Sequence, residues 1–329
     1  MTSIDINTYS ATDDAPHADG AGPDWQESVL FTWFDEKAEL GGFYRLGHEP
    51  QHRMGNCCFG VFTTSGERFR WNVTGAPMVT ADRAETHMGL GPTRATLADG
   101  LRLSAQFADC EAELTFRDYH ARFDYLDLVG IKRDDFVAHH FEVAGHMTGR
   151  VVLAGRGFDI DAQGYRDRSW GNRHWNQFRS ARWWPIVFGP DLSMQVVHFL
   201  SSDGKFRRYG YLMRNGVPEL LRSSRIVLPV EDDAFTYRSA QLELESMSGE
   251  RLLIDHQVRD GIILEVRGFA AVEGIGTARL DGRTGFANLE ANSNPLGGSQ
   301  APALVLYANM RDGFSRCPPD HVPYSSGEH

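Results

Sequence analysis

From Trp25 onward, apolar residues come in short runs, many with polar residues at alternate positions, and glycines punctuate them. The runs 59–63 FGVFT, 101–107 LRLSAQF, 136–143 FVAHHFEV, 193–200 SMQVVHFL, 220–228 LLRSSRIVL, 251–258 RLLIDHQV and 261–269 GIILEVRGF have the length and period of β-strands. Between such runs stand Asp99-Gly100, Asp203-Gly204, Asn215-Gly216, Asp260-Gly261, Asp281-Gly282 and Asp312-Gly313, with the weaker Ser65-Gly66 and Ser248-Gly249. These dipeptides supply the positive φ that tight hairpin turns need, so the pattern predicts antiparallel meanders. No long stretch has the 3.6-residue period of a helix, which argues against doubly wound α/β folds. A chain of hairpins this long must cover its faces and hide its edges, and two successive barrels fit the length. A faint echo between RGFDIDAQGYR at 156–166 and RGFAAVEGIGTAR at 267–279 is in keeping with duplication.

Residues 1–24 break the pattern: they hold five Asp and no Lys or Arg, and are expected to form a solvated, disordered arm. The whole chain carries a formal charge of −11. That surplus of acid excludes a nucleic-acid binder relying on a basic surface. Within the body, Arg166, Arg168, Arg173, Arg179 and Arg182 gather in one stretch with several Trp, and this cluster is expected to point inward. The four Cys, at 57, 58, 110 and 317, read as reduced thiols of a cytoplasmic protein. The N-terminus has neither the basic nor the apolar region of a secretion signal. No apolar run approaches a membrane span.

Several motifs look like chemistry. His48-Glu49-Pro50-Gln51-His52 matches the zinc-protease pattern literally, but Pro50 within it and the nearby glycines favour a loop over the helix that chemistry needs. Gly89-x-Gly91 and Gly274-x-Gly276 lack the third glycine and following helix of a dinucleotide fingerprint. On a continuous strand His140, Glu142 and His146 share a face. They could form a non-haem iron triad only if the strand bends, since alternate residues are about 6.6 Å apart. Otherwise His140 and Glu142 are a hydrogen-bonded pair lining a pocket, or plain exterior polar residues. The stretch 157–175, GFDIDAQGYRDRSWGNRHW, concentrates Arg, Asp and Trp as no other does. Asp167 among its arginines reads either as an ion-pair plug between two barrels or as an acid/base group at a cavity mouth.

Gly164-Tyr165-Arg166-Asp167-Arg168-Ser169-Trp170-Gly171-Asn172-Arg173 resembles the G-x-R-D-H-S-W-G-x-R signature of a bacterial branch of the lipocalin-like superfamily that includes carotenoid hydratases (hydroxyneurosporene synthases) and AttH-type proteins. HHFEVAGHMTGRVVLAG (139–155) resembles the strand pair leading into that signature, and WQESVLFTWFDEKAELGGFYRLG (25–47) resembles the family's opening. Arg168 stands where the family usually has His. The resemblance implies an all-β fold of two consecutive lipocalin-like (calycin-type) antiparallel β-barrels around a hydrophobic cavity, with hydration, cyclisation or pericyclic chemistry and no redox cofactor. The expected division is an acidic arm at 1–24, a first barrel at 25–165, a second at 166–312 and a tail at 313–329.

Protonating an alkene needs a carboxylic acid kept neutral by desolvation, and neighbouring guanidiniums oppose that. Asp167 is therefore cast as an orienting group or base, and Glu142 beside His140 as the acid or base. Tyr165, Arg166, Trp170, Arg173, Trp175 and His198 are the expected substrate-binding residues. His198 has a competing reading as a satisfied core histidine, and the Trp170, Trp175, Trp183 and Trp184 group could shield a cation or simply fill a core. The expected function is a cofactor-independent hydratase, dehydratase, isomerase or cyclase acting on a terpenoid- or steroid-like molecule in a barrel cavity, with no metal. The alternatives are a non-catalytic intracellular carrier of hydrophobic ligands and, if no cavity exists, a structural protein. The expected partner is a small hydrophobic molecule, with no nucleic acid and no membrane span, and a homodimer is left open.

Overall fold

The structure, a computed structural model, describes residues 8–17, 22–98, 100–130, 137–231 and 236–299. Asp312-Gly313, Cys317 and the expected tail lie outside these residues. The chain is almost entirely antiparallel β, in two halves. The first is an eleven-stranded sheet curled as a half-barrel, and the second is a closed eight-stranded barrel. The all-β class that the resemblance implied is thus the fold observed, with the first barrel left open.

In the first half, Trp25–Asp35 pairs with Arg156–Arg173 at the centre of the sheet. The sheet continues outward from Trp25–Asp35 through Leu40–Glu49, Met54–Thr63 and Arg68–Pro77. On the other side it continues from Arg156–Arg173 through Val137–Leu153, Cys110–Asp118 and Leu101–Gln106. In the second half, Phe178–Gly189 pairs both with Leu192–Ser201 and with the last strand, Arg283–Ser293, which closes the barrel. The expected boundary at 165/166 falls inside one unbroken strand, Arg156–Arg173. The link between the halves is instead the short turn Trp175–Gln177 that precedes Phe178.

The hairpin chemistry is visible at Asn215-Gly216 (φ 49° and 79°) and Asp281-Gly282 (φ 47° and 80°), both in the left-handed region that such turns require. Asp260-Gly261 departs from expectation. It sits inside the continuous strand Arg251–Val266, where the register shifts between Val258 and Asp260, so the dipeptide marks a bulge and not a turn.

Every residue of Trp25–Asp35 is buried because both faces of this strand are covered. Val29, Phe31 and Trp33 pack into the core of the first half, while Leu30 and Phe34 pack into the core between the halves. The barrel has its own interior of Trp184, Ile186, Met194, Val196, Leu242 and Ile254 among others. Val187, Val197 and Ile275, of opposite parity, turn outward onto the first sheet, and so does Ile262, which the bulge between Val258 and Asp260 reverses relative to Ile254. Side chains stitch the halves where backbone ladders do not reach. Asn72 Nδ2 donates to the Glu265 carbonyl (3.2 Å), and the Glu265 amide donates back to Asn72 Oδ1 (3.0 Å).

The N-terminal segment is where the sequence reading departs furthest from the structure. Residues 8–17 are packed against the first half, with Thr8–Tyr9 paired to Arg122–Phe123. Asp14 is buried and binds Arg166 Nη1 at 2.7 Å and Arg122 Nη2 at 2.9 Å. His17 stacks on Trp170 at 3.9 Å and meets Glu27 at 2.8 Å. Acidic residues without local cations are solvated only if no buried cation elsewhere needs them, and here Arg166 does.

Candidate functional site

Parity on the central strands determines what faces the space between the halves. On Val137–Leu153, His140, Glu142 and Ala144 turn toward the second half, while Phe141, Val143 and Met147 turn into the first. On Arg156–Arg173, where Asp167 stands opposite Glu142 in the ladder, Tyr165, Asp167 and Arg173 face the second half. These groups meet Trp175 of the link and Phe178, Trp183, Val197, Phe199, Tyr209, Leu264, Phe269 and Glu290 of the second half around a cavity of about 310 Å3. The cavity is therefore between the halves. The expected location inside a barrel is not where it lies, because the barrel interior is filled by its own apolar side chains.

Glu142 is 1% exposed. Tyr165 donates to its Oε2 at 3.1 Å, and the Trp183 indole N–H reaches both carboxyl oxygens at 3.1 Å. Tyr165 also meets Tyr211 hydroxyl to hydroxyl at 2.5 Å. His140 Nε2 stands 3.5 Å from Glu142 Oε1 and 3.8 Å from Asp167 Oδ2. Burial pushes the Glu142 carboxyl up to about 7, the negative Asp167 adding to it, against the His140 charge and the two hydrogen bonds. For His140, burial favours the neutral ring, but the hydrogen bond to Asp167 and the charge of Glu142 outweigh it and hold the imidazole above its usual value. The arrangement is an acid that is half protonated near neutrality, with an imidazole and a second carboxylate beside it.

Two guanidiniums share the cavity wall with these groups. The Arg45 and Arg173 guanidiniums lie 5.9 Å and 4.7 Å from the Trp175 ring. Burial pulls Arg173 down to about 9, with Arg45 adding repulsion. Nearby, Glu290 and Glu273 face each other across the last two strands of the barrel. Burial holds both above the ordinary carboxylate range, and for Glu273 the Glu290 charge adds to the effect. Asn288 donates to Glu273 at 2.8 Å.

The sequence profile of the family described as a domain of unknown function, DUF7064, matches residues 10–295, the folded body from the N-terminal segment to the last barrel strand. The chain belongs to the DUF7064 family. No match was found among curated protein sequences. The DUF7064 fold is shared with solved structures of low identity. An AttH-type protein of Nitrosomonas europaea aligns with TM-score 0.65 at 12% identity, covering 88% of this chain and 97% of the other. Kievitone hydratase from Nectria haematococca aligns with TM-score 0.61 at 11% identity, over 89% and 94% of the two chains. CghA aligns with TM-score 0.58 at 13% identity, over 83% and 88%.

Set in this DUF7064 fold, the sequence-derived candidates separate into two groups. Glu142, His140 and Asp167 are brought together, with Arg173 and Trp175 lining the same cavity and Tyr165 bonded to Glu142. Arg166 and Trp170 are on the opposite face of their strand. Arg166 binds Asp14 and Asp118, and Trp170 packs with Trp25, Phe141 and Val143, so neither can touch a molecule in the cavity. Arg168 shares that face, pairing with Glu27 and donating to the Asp14 carbonyl at 3.1 Å and the Ser28 carbonyl at 3.0 Å. His198 lies outside the cavity lining, with Nε2 2.9 Å from the Ser224 hydroxyl. His146 is 2.6 Å from Asp161 on a solvent-facing part of its strand. Among the described residues no group of three or more His, Cys, Asp or Glu is placed to hold a metal ion. His48 is buried at a strand end with Nε2 on the Gly89 carbonyl (2.8 Å), while His52 ends a short 3-10 turn and reaches the Pro23 carbonyl (2.8 Å). No helix among the described residues is long and apolar enough to cross a membrane.

Arg45 and Glu290, with Glu273 behind it, were missed in the sequence, and Trp183 was named there only as a candidate cation shield. The available signal is a charge set between apolar neighbours in a strand, as in GFYRLG (42–47), AAVEGIG (270–276) and FANLEAN (286–292). An alternating pattern says nothing about such a charge when both faces of the strand are buried.

Proposed function

We propose that this protein is an acid/base enzyme, needing no redox cofactor, that hydrates, dehydrates, isomerises or cyclises a hydrophobic terpenoid- or steroid-like molecule held between the two halves. The observation that carries this reading is Glu142, a fully buried carboxyl pushed to about 7 in a wall of Trp183, Leu264, Phe178 and Val197. A carboxylic acid in such a place is both populated and strong enough in drive to be a general acid at neutral pH. In a hydration, the Glu142 proton passes to one alkene carbon and water forms the C–O bond at the other. The proton released by that water passes to His140, which Asp167 orients, and returns to Glu142, so the net change is addition of water. Trp183, in the same wall, is the candidate to shield the carbocation. The shared fold with kievitone hydratase supports an enzyme of this kind without identifying the substrate.

The test is product analysis after incubation with a pooled terpenoid and steroid set, for wild type and Glu142→Gln. Turnover is expected to fall by at least about 100-fold in the variant, with ligand retention in native mass spectrometry nearly unchanged. A ligand retained but never altered by wild type would replace the enzyme reading with that of a carrier.

A further inference from the structure

Arg45 is the least satisfied group of the cavity. It is 6% exposed and makes no hydrogen bond or ion pair among the described residues, and its Nη1 is buried without an acceptor. Its electrostatic partners, Asp167, Glu290 and Glu49, all act from beyond hydrogen-bonding range. Gly47, two residues on and on the same strand face, leaves the guanidinium its room: a Cβ there would lie 3.2 Å from Nη1. A guanidinium buried without an acceptor is strongly destabilising. Folds retain such a group when a ligand supplies the acceptor. Arg173 stands on the same Trp175 ring, its Nη1 on the Ser169 hydroxyl at 3.2 Å. Of the carboxyls acting on the pair, Glu49 is engaged by Arg267 and Asn56 and Glu290 is pushed toward its neutral form by burial, which leaves Arg45 and Arg173 facing Asp167.

We propose that Arg45, with Arg173 beside it, is the anchor for an anionic head, a carboxylate or an ionised enol or phenol, on the otherwise apolar substrate. This rests on the reading of the cavity as the substrate site and narrows its substrate class. The planar guanidinium offers a fork that matches a carboxylate, and the indole of Trp175 excludes water from it. With the head at Arg45, the apolar body lies along Phe178, Phe269, Leu264 and Trp183, across the Glu142 carboxyl.

The experiment is calorimetric titration with decanoate and with the uncharged decanamide, on wild type, Arg45→Met, Arg45→Lys and Glu142→Gln, with melting temperatures of the ligand-free proteins. Wild type is expected to bind decanoate at least about tenfold more tightly than decanamide. Arg45→Met abolishes that preference and, having lost an unpaired buried charge, melts no lower than wild type; Arg45→Lys keeps part of the preference. Equal affinities for the two probes, no binding of either to wild type, a preference that survives in Arg45→Met, or a lower melting temperature of that variant would each overturn the anchor. Glu142→Gln separates the two proposals: it keeps the preference if the anchor is right, whether or not Glu142 is the acid.

Discussion

Replacing Glu142 by Gln tests the electrostatics of the site without knowledge of the substrate. The amide keeps the shape, and one oxygen can still accept from both Tyr165 and Trp183, which share Oε2 in the wild type. A carboxyl at about 7 in the folded protein against an ordinary 4.5 in the unfolded chain binds its proton more tightly when folded. The folded state then holds more protons than the unfolded one between those values, so stability falls as pH rises through that window. The full loss is about 3 kcal/mol, of which about 2 kcal/mol falls between about pH 5.5 and about pH 8. The assay is urea unfolding of wild type and Glu142→Gln at those two pH values. Glu273 and Glu290 titrate in the same direction in both proteins and cancel in the difference. Wild type is expected to lose about 2 kcal/mol more than the variant on going to the higher pH, and the variant to be the more stable protein there. A double difference near zero would refute the raised acid, and with it the choice of Glu142 as proton donor.

Tyr165→Phe removes a hydrogen bond that favours the Glu142 carboxylate, so the pH at which wild-type stability declines is expected to move upward, measured by the same titration. Glu273→Gln relieves a buried carboxyl facing another; it is expected to stabilise the protein at about pH 8 and much less at about pH 5, read from thermal melts. Asp14→Asn removes one of the two carboxylates that Arg166 and Arg122 share, Asp118 being the other, and is expected to cost about 2 kcal/mol in urea unfolding. An unchanged midpoint would mean that residues 8–17 do not pack against the first half in solution.

The Asn215-Gly216 and Asp281-Gly282 turns were legible because hairpin chemistry is local: two residues need positive φ, and few sequences supply it cheaply. The His140, Glu142 and Asp167 group was legible for a related reason. Period-2 parity puts His140 and Glu142 on one face whatever lies opposite, and the ladder then brings Asp167 alongside. Parity could not say which face of Arg156–Arg173 meets the cavity, and Arg166 and Trp170 were read onto the wrong one. Asp260-Gly261 misled because the dipeptide suits a bulge as well as a turn.

The sequence by itself thus determined an all-β chain of hairpins with a protonatable carboxyl and an imidazole on one strand face, because strand period and turn chemistry act over a few residues. Tertiary structure decided the rest. Asp14 is solvated or buried according to whether Arg166, far along the chain, needs a counter-charge. Arg45 becomes a binding group only because the barrel wall and Trp175 close over it. The cavity itself belongs to neither half, since it is bounded by Glu142 and Arg45 on one side and by Trp183, Leu264 and Phe269 on the other. Desolvation, which sets the charge of Glu142 and the cost of Arg45, comes from residues distant in sequence and is absent until both halves are in place.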